Sequence, residues 1–116
     1  MPYSVIVSLE FEEWFTEQME DLQDKIAVTV ALLEEHGPSL RRPFADTLTG
    51  STLSHLEELR VKHRGKPYRI LFAFDPNREA LLLIGCIKSG DTRWYKRMIP
   101  IAEEIFQRHV ASLHEE

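Results

Sequence analysis

The sequence predicts an α+β domain in which an N-terminal strand and a helical hairpin pack on a mostly antiparallel sheet, with a C-terminal helix after the sheet. Apolar residues recur at helical spacing before residue 40 and after residue 100, and at strand spacing in between. Short turn signals separate the middle segments, which favours hairpins over parallel crossovers. At 116 residues, the chain fits a single domain over residues 1–116.

The first 40 residues predict a short strand followed by two helices. Residues 3–7 are rich in β-branched side chains, as strands are. Ser8 is a good cap for the first helix. The second helix is expected to end at His36-Gly37-Pro38, because glycine adopts the left-handed conformation and proline blocks continuation. The apolar stripes are Phe11, Trp14, Phe15 and Met19 in the first helix and Leu22, Ile26, Val30 and Leu33 in the second.

Three strands joined by hairpin turns are predicted after a polar connection over residues 40–54. The turns contain Arg64-Gly65-Lys66-Pro67 and Pro76-Asn77-Arg78-Glu79. An irregular segment over residues 89–98 is expected before the last helix, which should begin at Pro100. The predicted strands are residues 56–63, 68–75 and 80–88, and the last helix has an apolar side of Ala102, Ile105, Phe106, Val110 and Leu113.

Charge is segregated along the chain. The net charge of −5, taken whole, argues against a nucleic-acid partner. Residues 1–40, however, carry nine acids and one base, whereas residues 41–99 carry twelve bases and six acids, a net charge of +6. A polyanion responds to local fields more than to the average. The middle segment is therefore a candidate nucleic-acid surface, and solvated sheet edges and helix faces are the alternative explanation.

Strand alternation predicts which side chains share a face of the sheet. With even-numbered hairpin loops, Arg60, Lys62 and Arg69 lie on one face together with Lys88. Converging cations on an open sheet face suit a phosphate backbone. A one-residue bulge would flip part of a strand and change this assignment. The opposite face, where the helical hairpin should dock, collects Leu59, Val61, Tyr68, Ile70, Phe72, Phe74, Leu81 and Leu83.

Basic and aromatic residues are mixed just after the last predicted strand. Residues 88–97 contain Lys88, Arg93, Lys96 and Arg97 around the adjacent Trp94 and Tyr95. Rings beside cations are typical of single-stranded RNA recognition. For Trp94 a buried anchoring role is the better interpretation, since large aromatic residues are mostly buried. For Tyr95 both interpretations stay open.

The remaining composition favours a cytoplasmic protein without a metal or cofactor. A single cysteine, Cys86, excludes an internal disulfide and is expected to be a small buried apolar residue. No apolar run approaches the roughly 18–20 residues that a membrane-spanning helix needs, and the N-terminus does not have the pattern of a secretory signal. The histidines show no ligand spacing. His63 should point to the core face and have a structural role.

Several sequence segments together resemble the RelE/ParE toxin superfamily, most closely its phage-derived, HigB-like branch. The segments are residues 34–38, 58–61, 64–74, 83–85, 88–91 and 98–102, so the resemblance spans nearly the whole chain. It implies a RelE-like fold and a toxin of a type II toxin–antitoxin system. Such a toxin is an endoribonuclease, an mRNA interferase that typically acts on the ribosome, and a co-expressed helix-turn-helix antitoxin neutralises it. DNA would be a partner only through that antitoxin.

The resemblance also assigns roles where positions match. Arg69 lies where RelE-like nucleases place a phosphate-binding arginine, and Lys88 where they place another catalytic base. Tyr95 resembles the tyrosine near the start of their C-terminal element. These three are the predicted catalytic residues. The predicted RNA-binding residues are Arg60, Lys62, Arg64, Arg93 and Lys96.

Metal-independent RNA cleavage defines what these residues would do. The 2′-hydroxyl is the nucleophile, and the reaction needs a base, cations on the phosphorane and an acid for the leaving oxygen. Arg69 suits the phosphorane because its planar fork donates two parallel hydrogen bonds. Lys88 is a candidate base or electrostatic stabiliser, and Tyr95 a group that stacks on or orients the substrate.

Two alternative functions remain open from the sequence. A ParE-like toxin on the same fold would inhibit DNA gyrase without nuclease chemistry, which the presence of Arg69, Lys88 and Tyr95 disfavours. A non-enzymatic RNA-binding or regulatory module would also keep the fold, and the net acidity supports it. Fold-level analogy does not separate these functions.

Overall fold

The computed structural model describes residues 2–88, 90 and 93–115. Within them the chain forms five strands, three α-helices and a short 3-10 turn at Gly37–Ser39. Of the predicted irregular segment, Ser89, Asp91 and Thr92 lie outside the described residues. The elements are β1 (Val5–Val7), α1 (Leu9–Thr16), α2 (Glu20–His36), β2 (Ala45–Thr47), β3 (Glu57–His63), β4 (Lys66–Phe74), β5 (Ala80–Ile87) and α3 (Trp94–Leu113).

The strands form one sheet in the order β1-β5-β4-β3-β2. β1 runs parallel to β5, and the other three pairings are antiparallel, so the predicted α+β class with a mostly antiparallel sheet is confirmed. β2 was not predicted, because its three residues fall in the polar connection. Edge strands this short carry little periodic signal, and β2 forms because it pairs with β3.

The predicted helical hairpin is confirmed. Ser8 caps α1, since its hydroxyl accepts a hydrogen bond from the Phe11 N–H at 3.0 Å and donates one to the Leu83 carbonyl at 2.7 Å. α2 ends at Gly37 with φ of +55°. Met19 is not part of the α1 stripe as predicted: it lies at the start of α2 and is exposed, because α1 already ends at Thr16.

A bulge in β5 changes which leucines face the hairpin. Leu71 pairs with Ile84 but Phe72 pairs with Leu82, so Leu83 is an extra residue in the strand. The prediction that Leu81 and Leu83 lie on the hairpin face is therefore wrong, and Ala80 and Leu82 take their places. Between the bulge and the end of β5 the predicted alternation holds, and Cys86 is still paired with Arg69.

The second face of the sheet is covered in part by α3, so it is not the open face that was expected. Leu71, Leu81 and Leu83 pack under this helix in a second apolar cluster that includes Trp94 and Ile105. The prediction that the last helix begins at Pro100 is wrong: α3 begins at Trp94, six residues earlier, because its first turns pack into this cluster. Burial of Trp94 and Ile99 stabilises the turns that precede the proline.

Candidate active site

The two arginines at the centre of the predicted basic face are direct neighbours. Arg60 of β3 and Arg69 of β4 are register partners, and Arg69 is in turn paired with Cys86 of β5. Paired residues of antiparallel strands project to the same face. Both guanidinium groups therefore lie on the face that α3 partly covers, as the strand alternation predicted.

A buried carboxylate, Glu58, lies between these cations. Its side chain is 1% exposed, and Oε2 accepts a hydrogen bond from Arg60 Nε at 3.0 Å. Oε1 accepts a hydrogen bond from the Tyr95 hydroxyl at 2.9 Å and forms a 3.5 Å ion pair with Arg69 Nε. One carboxylate thus holds side chains from β3, β4 and α3 in a single cluster.

Sequence reasoning did not assign Glu58 to the site. The available signal was its position two residues before Arg60, which places both on one face of β3. An acid among bases on a strand is equally compatible with a solvated surface. Only the approach of α3 shows that this carboxylate is buried and bonded to Tyr95.

Tyr95 lies in the first turn of α3, half-buried against its neighbours. The Tyr95 ring meets the Trp94 ring edge-on, with ring centroids 4.9 Å apart. Lys88 Nζ lies 5.6 Å from the centroid of the Tyr95 ring. Burial raises the pKa of Tyr95, the contact with Glu58 raises it further, and the Arg69 guanidinium opposes the shift. The phenol therefore stays protonated at neutral pH and acts as a hydrogen-bond donor.

Trp94 is the buried anchor that the sequence favoured. It is 1% exposed, and its Nε1–H donates a 3.0 Å hydrogen bond to the Ile87 carbonyl at the end of β5. Lys88 follows that strand, and its backbone N–H donates to the Pro67 carbonyl at 2.8 Å. These contacts fix the start of α3 against β5, which places Tyr95 beside both Lys88 and Glu58.

A second carboxylate, Asp46 of β2, binds the outer side of Arg60. Its Oδ2 lies 3.2 Å from an Arg60 nitrogen and 2.7 Å from an Arg42 nitrogen. The hydrogen bond from Arg42 is the main reason that the pKa of Asp46 is below its usual value. A phosphate that approaches Arg60 from solvent would therefore compete with Asp46 and leave the buried Glu58 contact in place.

Two open cavities share Arg60 as a lining residue, and we refer to the pair as the trough. The smaller, of about 250 Å³, is lined by residues 46–49 with Glu58, Arg60 and Tyr95. The larger, of about 470 Å³, is lined by Arg60, Lys62 and Arg69 with Pro43, Val61, Gly65 and Pro67. The trough is thus lined by Glu58, Tyr95, Arg60, Arg69 and the exposed Lys62.

The structure does not bring every predicted RNA-binding residue to this trough. Arg64 forms a 2.8 Å ion pair with Asp21 at the start of α2, on the hairpin side of the sheet. Arg93 and Lys96 are exposed at the start of α3, on either side of the Trp94–Tyr95 pair. RNA binding by these residues stays a prediction.

The described residues include no group of three or more His, Cys, Asp or Glu side chains placed to hold a metal ion. His63 lies on the hairpin side, with Nε2 3.1 Å from Asp21, consistent with the structural role expected for it. Cys86 was expected to be buried; it is only half-buried, and it packs against the cluster under α3.

Among the helices of the described ranges, none has the length and apolarity needed to cross a membrane.

Comparison with known proteins gives concordant matches. Residues 13–107 match the family described as "Phage derived protein Gp49-like (DUF891)". The chain is 41% identical over 112 residues to "Putative toxin HigB3" of Mycobacterium tuberculosis, which covers 96% of each chain. It is 36% identical over 104 residues to "Putative toxin HigB2" of the same organism, covering 88% of this chain and 52% of that relative. No solved structure matches the chain significantly.

Proposed function

Because the chain belongs to the phage-derived Gp49-like family and is a HigB-like toxin of a toxin–antitoxin system, we propose that it is an mRNA interferase. In this proposal it is an endoribonuclease that cleaves mRNA, associated with the ribosome, through metal-independent attack of the 2′-hydroxyl. The observation that carries the proposal is the Glu58–Tyr95–Arg69–Arg60 cluster beside an open trough. It combines a proton acceptor, a protonated phenol and two phosphate-binding cations.

Proton removal from the 2′-hydroxyl is assigned to Tyr95 and Glu58 together. Glu58 is too buried to contact a ribose directly. Tyr95 lines the smaller cavity, and its hydroxyl donates a hydrogen bond to Glu58. As the 2′-oxygen attacks phosphorus, the phenol oxygen accepts the 2′-proton while its own proton passes to Glu58. Glu58 is then the general base, and Tyr95 is the group that touches the substrate.

Arg60 and Arg69 are assigned to the pentavalent phosphorane. The Arg69 side chain is 15% exposed and the Arg60 side chain 29% exposed, so Arg60 offers the larger surface for a first contact with phosphate. Guanidinium groups bind phosphate oxygens through paired hydrogen bonds. Both contacts strengthen as charge accumulates on the equatorial oxygens, which stabilises the transition state more than the ground state.

Lys88 completes the reaction in this proposal. The bond from phosphorus to the 5′-oxygen breaks as the 2′,3′-cyclic phosphate forms, and the leaving oxygen needs a proton. The Lys88 ammonium, near the Tyr95 ring, supplies that proton or stabilises the charge on the leaving oxygen. The products are a 2′,3′-cyclic phosphate and a 5′-hydroxyl end.

The partners proposed with this function are mRNA, the ribosome and a helix-turn-helix antitoxin. We propose that the protein acts in the cytoplasm and that residues 1–116 form a single toxin domain. The relatives' toxin names support a cognate antitoxin. The two acidic helices of the hairpin lie on the face of the sheet away from the arginine cluster. Co-purification with the product of the neighbouring reading frame tests the partner directly.

The proposed activity is tested by induced expression with sequencing of RNA 5′ ends. The wild-type chain is expected to arrest growth and to produce new 5′-hydroxyl ends within mRNA. Arg69→Ala should abolish both effects, whereas Arg78→Ala, at an exposed arginine of the β4–β5 turn, should retain both. Unimpaired mRNA cleavage by Arg69→Ala would contradict the assignment.

A gyrase supercoiling assay and an RNA-binding assay, added to this experiment, separate the alternative functions. Growth arrest without new RNA ends, together with inhibition of DNA supercoiling by gyrase, would indicate a ParE-like toxin. Neither growth arrest nor RNA cleavage, with RNA binding retained, would indicate a non-enzymatic module.

A further inference from the structure

A second pocket with a buried acid lies on the hairpin side of the sheet, away from the arginine cluster. It has a volume of about 250 Å³ and lies between the N-terminal segment, the start of β3 and the β4–β5 turn. The proposed nuclease mechanism uses none of its residues. Those that matter here are Tyr3, His55, Glu57, Phe74, Asp75 and Arg78.

Glu57 is the chemically unusual group in this pocket. It is 8% exposed, and its carboxylate has no hydrogen bond or ion pair with any residue in the described ranges. Removing a carboxylate from water without a protein donor disfavours its charged form. Burial accordingly raises the pKa of Glu57 to about 7; Arg41 opposes the shift and Asp46 adds to it. A ligand that donates hydrogen bonds to Glu57 would remove this penalty.

The pocket also has preformed aromatic walls. The rings of Tyr3 and Phe74 meet edge-on with centroids 6.1 Å apart. The Tyr3 ring seats against Gly37, where an added Cβ would lie 2.2 Å from the ring. Glycine is therefore required for the ring to take this position. Aromatic faces beside a carboxylate favour a cation.

The other charged residues of the pocket, Asp75 and Arg78, do not bind Glu57. Asp75 is already satisfied: Oδ1 accepts the backbone N–H groups of Asn77 and Glu79, and Oδ2 lies 2.8 Å from His109 Nε2. Arg78 is exposed. Of the two carboxylates in the lining, Glu57 is therefore the one whose oxygens are available to a ligand.

We propose that this pocket binds a single guanidinium or primary ammonium group, which donates hydrogen bonds to Glu57 and packs against Tyr3 and Phe74. The group has two chemically equivalent sources: a small free organic cation, or an arginine or lysine side chain of a protein partner. The site does not depend on nuclease activity, because no residue of the arginine cluster takes part in it.

The test is an NMR titration of the 116-residue chain with n-butylguanidinium and with N-acetyl-arginine amide at pH 8. Both probes are expected to shift the signals of residues around Glu57, with a dissociation constant on the order of 1 mM. Glu57→Gln should weaken binding at least about tenfold. Glu35→Gln, at an exposed acid near the end of α2, should leave it unchanged. Thermal unfolding checks that each variant is folded, and Tyr3→Leu should weaken binding while Glu57 is intact.

The pH dependence of binding gives a second measurement. Charged groups around Glu57 include Arg41, Asp46, Asp75 and Arg78, and His55 also lines the pocket. Because the pKa of Glu57 is about 7, both probes should bind about tenfold more tightly at pH 8 than at pH 6. His55→Gln should keep this dependence and Glu57→Gln should lose it.

Two outcomes would overturn the proposal: no signal shift around the pocket, or equal binding by Glu57→Gln. Titration of the complex with the cognate antitoxin identifies the source of the cation. If the complex excludes the probes that the isolated chain binds, the site belongs to a partner side chain. If the complex also binds the probes, the site belongs to a free cation. Either result supports the existence of the site.

Discussion

The Tyr95 hydroxyl donates a 2.9 Å hydrogen bond to Glu58 and so ties the first turn of α3 to β3. The bond brings together residues 37 positions apart in the chain. On one side Trp94 anchors the helix, and on the other Arg60 and Arg69 hold the carboxylate. The phenol is thus positioned by the core of the protein, which makes its role measurable by conservative substitutions.

Glu58→Gln is expected to lower the rate of mRNA cleavage by about 10²- to 10⁴-fold, the usual contribution of a general base. Glutamine keeps the shape of the side chain and still accepts the Tyr95 hydrogen bond, but it does not take up the proton. The measurement is the initial rate of reporter mRNA cleavage in a translation extract. Glu35→Gln is the matched control at an exposed glutamate, and retention of the wild-type rate by Glu58→Gln would assign Glu58 a structural role.

Tyr95→Phe is expected to lower the same rate by about 10²- to 10⁴-fold as well, because Glu58 then loses its connection to the substrate. If the two residues act as one relay, the double variant should be no slower than Glu58→Gln alone. Rates of both single variants and the double variant form the complete cycle. Independent, multiplicative losses would show that Tyr95 acts by stacking on the RNA instead.

Protein stability is expected to fall between pH 5 and pH 8 because of Glu57. The pKa of Glu57 is about 7 in the folded chain, whereas the ordinary value for glutamate is 4.5, so over this range the folded state holds more protons than the unfolded state. Stability therefore decreases as pH rises. Because the pocket that Glu57 lines has room for water, we expect a loss of about 2 kcal/mol, less than the full shift would give.

Chemical denaturation at the two pH values measures this effect. Glu57→Gln should be more stable than the wild type at pH 8 and should lose most of the pH dependence. Glu35→Gln should behave as the wild type. An unchanged pH profile in Glu57→Gln would show that other groups cause the dependence.

Gly85→Ala is expected to destabilise the fold by about 1–3 kcal/mol. A Cβ at this position of β5 would lie 2.3 Å from the Trp14 ring of α1, so the indole or the helix must move. Gly90→Ala is the control, since an added Cβ there meets nothing within 4 Å. Urea denaturation of both variants tests the expectation, and equal stability would mean that Trp14 repacks without cost.

The main elements could be predicted because their signals are local. Ser8 and Gly37 mark helix ends through backbone chemistry, and alternation along β3 and β4 places Arg60 beside Arg69. The missed features depend on distant residues. β2 exists through its pairing with β3, and the bulge at Leu83 is visible only in the register of β5 against β4.

The sequence by itself determined the α+β class, the helical hairpin, the segregated charge and the neighbouring arginines, because each follows from periodicity, capping or strand parity. Only the tertiary structure decided that Glu58 is buried among those arginines and that Tyr95 bonds to it. It also decided that Glu57, the adjacent residue of β3, faces a separate pocket. Two neighbouring glutamates look alike in a sequence, and they acquire different chemistry because alternate residues of a strand face different layers of the protein.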